Sequence, residues 1–181
     1  MELIELKYAP LVAPLLELDA VDLRILTQLQ ADAAQSNQLL AERVHVSPPT
    51  CLRRVKRLVD AGVIERQIAI LSPDKLKTIV GYGLTAVVEV TLTQQDAQTM
   101  QAFEQRITTE SAVQQCYRTS PGPDFILIVQ VHDMPAYLAL VQRVFTSDAQ
   151  VRNVKAFFSV LRSKFEPSID LFSDKKSRQP L

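Results

Sequence analysis

The stretch from Asn37 to Lys56, N-Q-L-L-A-E-R-V-H-V-S-P-P-T-C-L-R-R-V-K, constrains this chain more than any other. It reads as a short helix, a tight turn and a second helix that starts at Ser47. Pro48 suits the first helical position, where no N–H is needed, and Pro49 is tolerated in the same turn. With Leu52 at zero and about 100° per residue, Cys51, Val55, Leu58 and Val59 join it in one apolar arc. Thr50, Arg53, Arg54 and Arg57 fall in the opposite arc, with Lys56 on a flank. A helix divided in this way packs one face on a small core and offers the other to DNA. Its N-terminal residues then reach base edges. Arg53 and Thr50 suit base contacts, whereas Ser47, Arg54 and Arg57 suit phosphates, which position without specifying.

The charge distribution agrees. The 181 residues carry 20 basic and 20 acidic side chains. Yet Arg43, Arg53, Arg54, Lys56 and Arg57 crowd into Asn37–Arg57 against Glu42 alone, and Gly83–Pro167 is near neutral. The positive charge is therefore local to the helix pair. Cys51 and Cys116 stand apart, with no disulfide framework or zinc spacing. No apolar run approaches the ~18 residues that span a bilayer. Glu2, Glu5, Pro10 and Pro14 do not fit a signal peptide. A cytoplasmic protein is expected.

The pattern divides the chain into an N-terminal arm (1–18), a helix-turn-helix domain (19–66), a linking strand and hinge (67–81), a second domain (82–167) and a fraying tail (168–181). Asp19, with Asp22 three residues on, starts a helix over about 19–33. Further helices are expected over 37–45 and from Ser47 to Ala61, with Gly62 at the C-terminal cap. Residues 63–71 have strand character, and 74–80 form a short helix or linker. Beyond them come a strand (82–92), a helix (95–110), a strand (113–119), a turn (120–123) and a strand (125–131). A helix capped by Asp133 and a last strand (151–163) complete the order βαββαβ. That order reads as a ferredoxin-like α+β domain behind a (winged) helix-turn-helix.

Other functions have little support. His45 and His132 lie in different segments, with neither a nucleophile nor metal spacing beside them. His45 ends a helix, where the dipole accounts for it. No Gly-rich phosphate loop is present, so the chain does not read as an enzyme, and no cofactor is implied. The alternatives carried forward are a sensing or assembly module without DNA binding and a different winged-helix regulator.

Three segments carry a resemblance: L-D-A-V-D-L-R-I-L-T-Q-L-Q-A-D-A (18–33), V-S-P-P-T-C-L-R-R-V-K-R-L-V-D-A-G-V-I (46–64) and D-F-I-L-I-V-Q-V-H-D-M-P-A-Y (124–137). On these the chain resembles the leucine-responsive/asparagine-regulator (Lrp/AsnC) family of bacterial and archaeal transcription regulators, over about Leu18 to Glu166. The resemblance implies dimers that assemble into tetramers or octamers and bind pseudo-palindromic half-sites in double-stranded DNA. It also implies an amino acid effector bound between C-terminal domains. Carried over, the effector residues are Thr119, Ser120, Pro121, Gly122, Asp124, Met134 and Phe157. One departure stands out. The family's turn is Gly-x-x-Asp, and here Pro121 takes the glycine position with Gly122 beside it. Proline offers no N–H to a ligand carboxylate. Either Gly122 supplies that backbone role, or the pocket is altered and the regulator works without an effector.

Overall fold

Asp19 begins the first helix as the spacing predicts. In the computed structural model, which describes residues 16–81 and 83–172, its carboxylate accepts from the N–H groups of Val21 and Asp22. Asp22 in turn accepts from the Asp19 N–H, completing a capping box. Each bond satisfies a backbone donor that the helix itself leaves without a partner. Helix α1 spans Ala20–Ala31, α2 Asn37–Arg43 and α3 Pro48–Asp60. Ser36, between the first two expected helices, is the N-cap of α2 and accepts from the Leu39 N–H.

Ile25, Leu26, Leu40, Ala41, Val44, Cys51 and Leu58 form the core of this helical unit. Leu16 and Leu171 pack against it from the two flanks of the sequence. The tail is therefore ordered further than expected. The Ile169 N–H donates to Gln30 at 2.6 Å, and the Gln30 amide donates back to the Ile169 carbonyl at 3.0 Å. This two-way bond and the partly buried Leu171 hold 168–172 on the helices, where fraying was anticipated. Residues 1–15 of the expected arm, Tyr82 and tail residues 173–181 lie outside the described residues.

The second unit runs from Ile70 to Phe165 and carries a four-stranded antiparallel sheet in the order β2-β3-β1-β4. Helix α4 (Pro73–Val80) precedes it. The elements then follow as β1 (Leu84–Leu92), α5 (Ala97–Ile107), β2 (Val113–Arg118), β3 (Phe125–Val131), α6 (Met134–Val141) and β4 (Val151–Phe158). This is the ferredoxin-like βαββαβ arrangement. Alternate residues of β1 (Ala86, Val88, Val90, Leu92) and β3 (Phe125, Leu127, Val129, Val131) point under the helices. They meet Met100, Phe103 and Ile107 of α5 and Tyr137 and Leu140 of α6. Each such large side chain contributes about 1.5–3 kcal/mol when taken from water. A π-helical turn, Gln142–Thr146, extends α6 and buries the consecutive pair Val144 and Phe145.

Two strand expectations are corrected. Residues 63–71 contain no strand: Ile68, Ile70 and Leu71 are exposed, and no neighbouring backbone pairs with them among the described residues. Strand character without a hydrogen-bonding partner does not make a ladder. The last strand stops at Phe158, short of Ser163. Its pairing with β1 runs out at Ala86↔Phe158 and a final bond from the Ser159 N–H to the Thr85 carbonyl. Strand β1 begins at Leu84, so only that residue of it lies beyond this bond.

Candidate nucleic-acid interface and effector residues

The turn between α2 and α3 sets how α3 is presented. His45 has φ 59°, a left-handed conformation uncommon outside glycine. It sits where a helix C-terminus commonly carries such a residue. The His45 N–H bonds the Glu42 carbonyl, and the Val46 N–H bonds the Ala41 carbonyl. These are the two bonds of a Schellman cap. Position in that cap, more than the helix dipole invoked from sequence, accounts for the backbone at His45. Across the turn, the Asn37 amide donates to the Pro48 carbonyl at 2.9 Å and ties the two helix starts together.

Ser47 occupies the N-cap position of α3 with extended backbone, but its side chain caps no backbone N–H. Its hydroxyl bonds the Thr50 hydroxyl at 2.9 Å instead. Pro49 removes the N–H at the second helical position, one of the two donors that a cap serves, and leaves that of Thr50. The α3 C-terminus closes at Gly62, φ 70°, in a second Schellman arrangement, with Gly62 bonded to Val59 and Val63 to Leu58.

The apolar arc is narrower than the sequence wheel suggests. Cys51 and Leu58 are fully buried and Val55 is partly buried, but Leu52 and Val59 are 59% and 48% exposed. The buried direction of α3 is rotated toward Arg54, whose side chain is only 21% exposed. The basic arc is not free of acids either. One nitrogen of Arg54 lies 2.8 Å from both Asp19 and Asp22, and Arg57 lies 2.5 Å from Asp22, which is fully buried. These pairs join α3 to α1 across more than thirty residues of chain. The expectation that Arg54 and Arg57 project outward unopposed is corrected on this point. Arg53 and Lys56 are exposed and have no ion-pair partner among the described residues, and Ser47 is exposed beside half-buried Thr50. The backbone N–H of Asp22 and the Arg54 guanidinium hold the Asp19 carboxyl down to about 2. A depressed carboxyl stabilises the fold at pH values above its unfolded range. That contribution is lost as pH falls through about 2.

The seven expected effector residues do not converge in one copy of the chain. Thr119, Ser120, Pro121, Gly122 and Asp124 form the turn between β2 and β3. The Thr119 N–H bonds the Asp124 carbonyl at 3.0 Å, and the Thr119 hydroxyl bonds the Pro123 carbonyl at 2.5 Å. Asp124 is buried, and one of its oxygens accepts the Leu92 N–H at 2.7 Å, fastening the turn to the end of β1. The alternative of a turn aspartate that satisfies backbone donors therefore describes that oxygen, although the donor lies on another strand. Gly122, at φ 126°, has open space where a side chain would begin. Met134 starts α6 at the far end of β3, about 23 Å away at ~3.3 Å per strand residue. Phe157 lies on the face of the sheet opposite the helices, with the Lys155 ammonium 4.8 Å from its ring centroid. That face also carries Val87, Ile126, Ile128 and Tyr117, half-buried or exposed. This is the open side of the apolar strands expected over 82–92 and 125–131, and Glu89 and Lys155 stand opposite each other on it.

Comparison with known proteins gives a consistent picture. Residues 18–65 match the winged helix-turn-helix DNA-binding family model, and residues 85–169 match that of the Lrp/AsnC ligand binding domain. The chain is 34% identical to the leucine-responsive regulatory protein of Rhizobium meliloti, covering 82% of this chain and 92% of that protein. It is 30% identical to the DNA-binding transcriptional activator DecR of Escherichia coli, covering 85% and 99% respectively. Among solved structures, a Neisseria meningitidis transcriptional regulator in complex with L-Met superposes with a TM-score of 0.76 at 30% identity, covering 86% of this chain and 98% of that one. An AsnC family regulator from Agrobacterium tumefaciens gives 0.75 at 28% identity, covering 85% and 97%.

Proposed function

The chain belongs to the Lrp/AsnC family of DNA-binding transcriptional regulators, which are not enzymes, and from that premise we propose how its residues divide the work. The exposed start of α3 reads DNA, with Arg53 and Thr50 toward base edges and Ser47 and Lys56 toward phosphates. A two-fold dimer presents two such helices to half-sites of a pseudo-palindrome, and further association toward tetramers or octamers links several sites. The apolar face of Val87, Ile126, Ile128, Tyr117 and Phe157 supports pairing through the sheets. Burying it also removes those apolar side chains from water. The protein works in the cytoplasm, where its DNA is.

The effector is an amino acid, the class that the Neisseria relative holds. Residues at the 119–124 turn of one copy and Met134 or Phe157 of another then line one pocket. Their separation within a single chain favours a site made between copies. Ligand that binds one assembly better than another shifts the population between them, and with it the half-site pairs that can be occupied.

The observation that carries the DNA reading is an exposed Arg53 beside a Ser47–Thr50 pair, on a helix that follows one Schellman cap and ends in another. The test is Arg53→Ala, measured against a duplex that the protein enriches from a random pool. Loss of a bidentate base contact costs about 1–3 kcal/mol, or roughly tenfold to a hundredfold in affinity, and relaxes discrimination at one base pair. Wild-type affinity and selectivity in this variant would remove Arg53 from the interface.

A further inference from the structure

Two of the four arginine and lysine side chains along Arg53–Arg57 are turned inward onto one carboxylate, and this has a consequence for how α3 selects DNA. Asp22 is fully buried, and its two oxygens are divided. One accepts from Arg54 at 2.8 Å; the other accepts from Arg57 at 2.5 Å and from the Asp19 N–H at 3.1 Å. Asp19 takes a second contact from Arg54 at 2.8 Å. The group therefore contains two carboxylates and two guanidiniums, and its charges cancel. Asp19, Arg53, Arg54 and Arg57 surround a notch of about 110 Å³ at the surface. Arg53 is the lining cation there that pairs with neither carboxylate.

We propose that Asp22 is a specificity-determining residue, which holds Arg54 and Arg57 away from DNA phosphates and fixes the rotation of α3 on α1. This rests on the reading of α3 as the DNA-contacting helix. Two physical effects act together. Arg54 and Arg57 lie one turn apart on α3, so two bonds to a single buried carboxylate set both the axial position and the roll of the helix. Base contacts require that geometry to be held closely. A long arginine released from its carboxylate, by contrast, finds phosphates on any sequence and in any register, and adds to sequence-independent attraction. Asp22 suppresses the second behaviour while supplying the first. Its partners lie 32 and 35 positions away, so the sequence wheel of α3 did not contain them.

The experiment uses the full chain and two duplexes, one enriched by this protein from a random pool and one scrambled. Affinity for each is measured over a salt titration. Asp22→Asn keeps the shape and removes the charge. The expected result is tighter binding to the scrambled duplex and a salt dependence steeper by about one unit per bound helix. The ratio of enriched to scrambled affinity should fall about tenfold, comparable to losing one base pair of readout. Asp19→Asn retains the cap, since Asn caps about as well as Asp, and removes one of the two carboxylates on Arg54. A smaller change in the same direction is expected, and this variant decides the matter if circular dichroism shows Asp22→Asn to be unfolded. Folded variants with unchanged salt slope and unchanged ratio would overturn the proposal. So would weaker binding to both duplexes by the same factor, the result of damage to the helix unit alone. Arg53→Gln serves as the control. If it changes binding to neither duplex, the assignment of α3 to DNA fails and takes this proposal with it. An effect at Arg53 with none at Asp22 or Asp19 overturns the role of Asp22 alone.

Discussion

In the helical unit, one copy of the chain sets Ser47, Thr50, Arg53 and Lys56 along the first three turns of α3. In the sheet unit, one copy leaves the 119–124 turn and Met134 at opposite ends of β3, with Phe157 on an open face. The cores differ in the same sense. The helical core is closed by seven buried residues and a few flanking side chains. The sheet is buried on its helix side along β1 and β3, and on its other side it carries apolar residues that are still partly wet. A surface made from consecutive turns of one helix is complete as soon as that helix is packed. A surface made from the two ends of a strand is completed by a further copy. On the reading proposed above, DNA recognition then belongs to the subunit and effector sensing to the assembly.

The largest effect that would sharpen this division is in the sheet core. Phe103 is buried against Phe125, their ring centroids 4.7 Å apart. Phe103→Ala should cost the sheet unit about 3–5 kcal/mol. Urea unfolding followed by separate probes in each unit should show the sheet transition shifted and the helical one in place. A common shift of both would mean that the units unfold as one. Next, Ile128→Asp puts a charge at the centre of the open face. Self-association measured by sedimentation should weaken by about a hundredfold or more, near 2.7 kcal/mol. An unchanged oligomer with native circular dichroism would place the pairing surface elsewhere.

Much of this was legible because it depends on short spacings. The Asp19–Asp22 box, the Ser47-Pro48-Pro49 helix start and the alternation in β3 are each set within a few residues. The errors lie where a partner is distant. Treating Leu52 as the centre of the buried arc of α3 misplaced Arg54, because the carboxylate that draws it inward sits on α1. Residues 63–71 and 159–163 have strand composition but no edge to pair with. The expected effector residues formed a set only through family resemblance, since no spacing in one chain brings Met134 to Pro121.

The turn itself offers a finer test. Pro121→Gly restores the family's backbone donor at the place where this chain lacks one. In thermal shift against the twenty amino acids singly, the active ligand should bind this variant with affinity changed by about tenfold, near 1.4 kcal/mol. Identical responses from both proteins would separate the turn from the ligand. The smallest effect is at His45, where φ 59° is held by a residue that bears a Cβ. His45→Gly should stabilise the helical unit by about 0.5–1 kcal/mol, read as a higher urea midpoint for that transition alone. A lower midpoint would show that the imidazole contributes more to the turn than its backbone costs.

The two-way bond between Gln30 and Ile169 has a consequence for what counts as a piece of this molecule. Because 166–172 belongs with the helices, the sheet unit is an insertion, entered near Ala69 and left near Phe165. A gene fragment ending before Glu166 would encode every helix of the DNA-reading unit and still leave that unit unfinished. It would have an uncovered side on its core where Leu171 belongs, and an amide on Gln30 with only water to answer it. The natural fragment for grafting is then not the N-terminal third of the chain. It is a split pair, the helices together with a short strip supplied from the other end of the sequence.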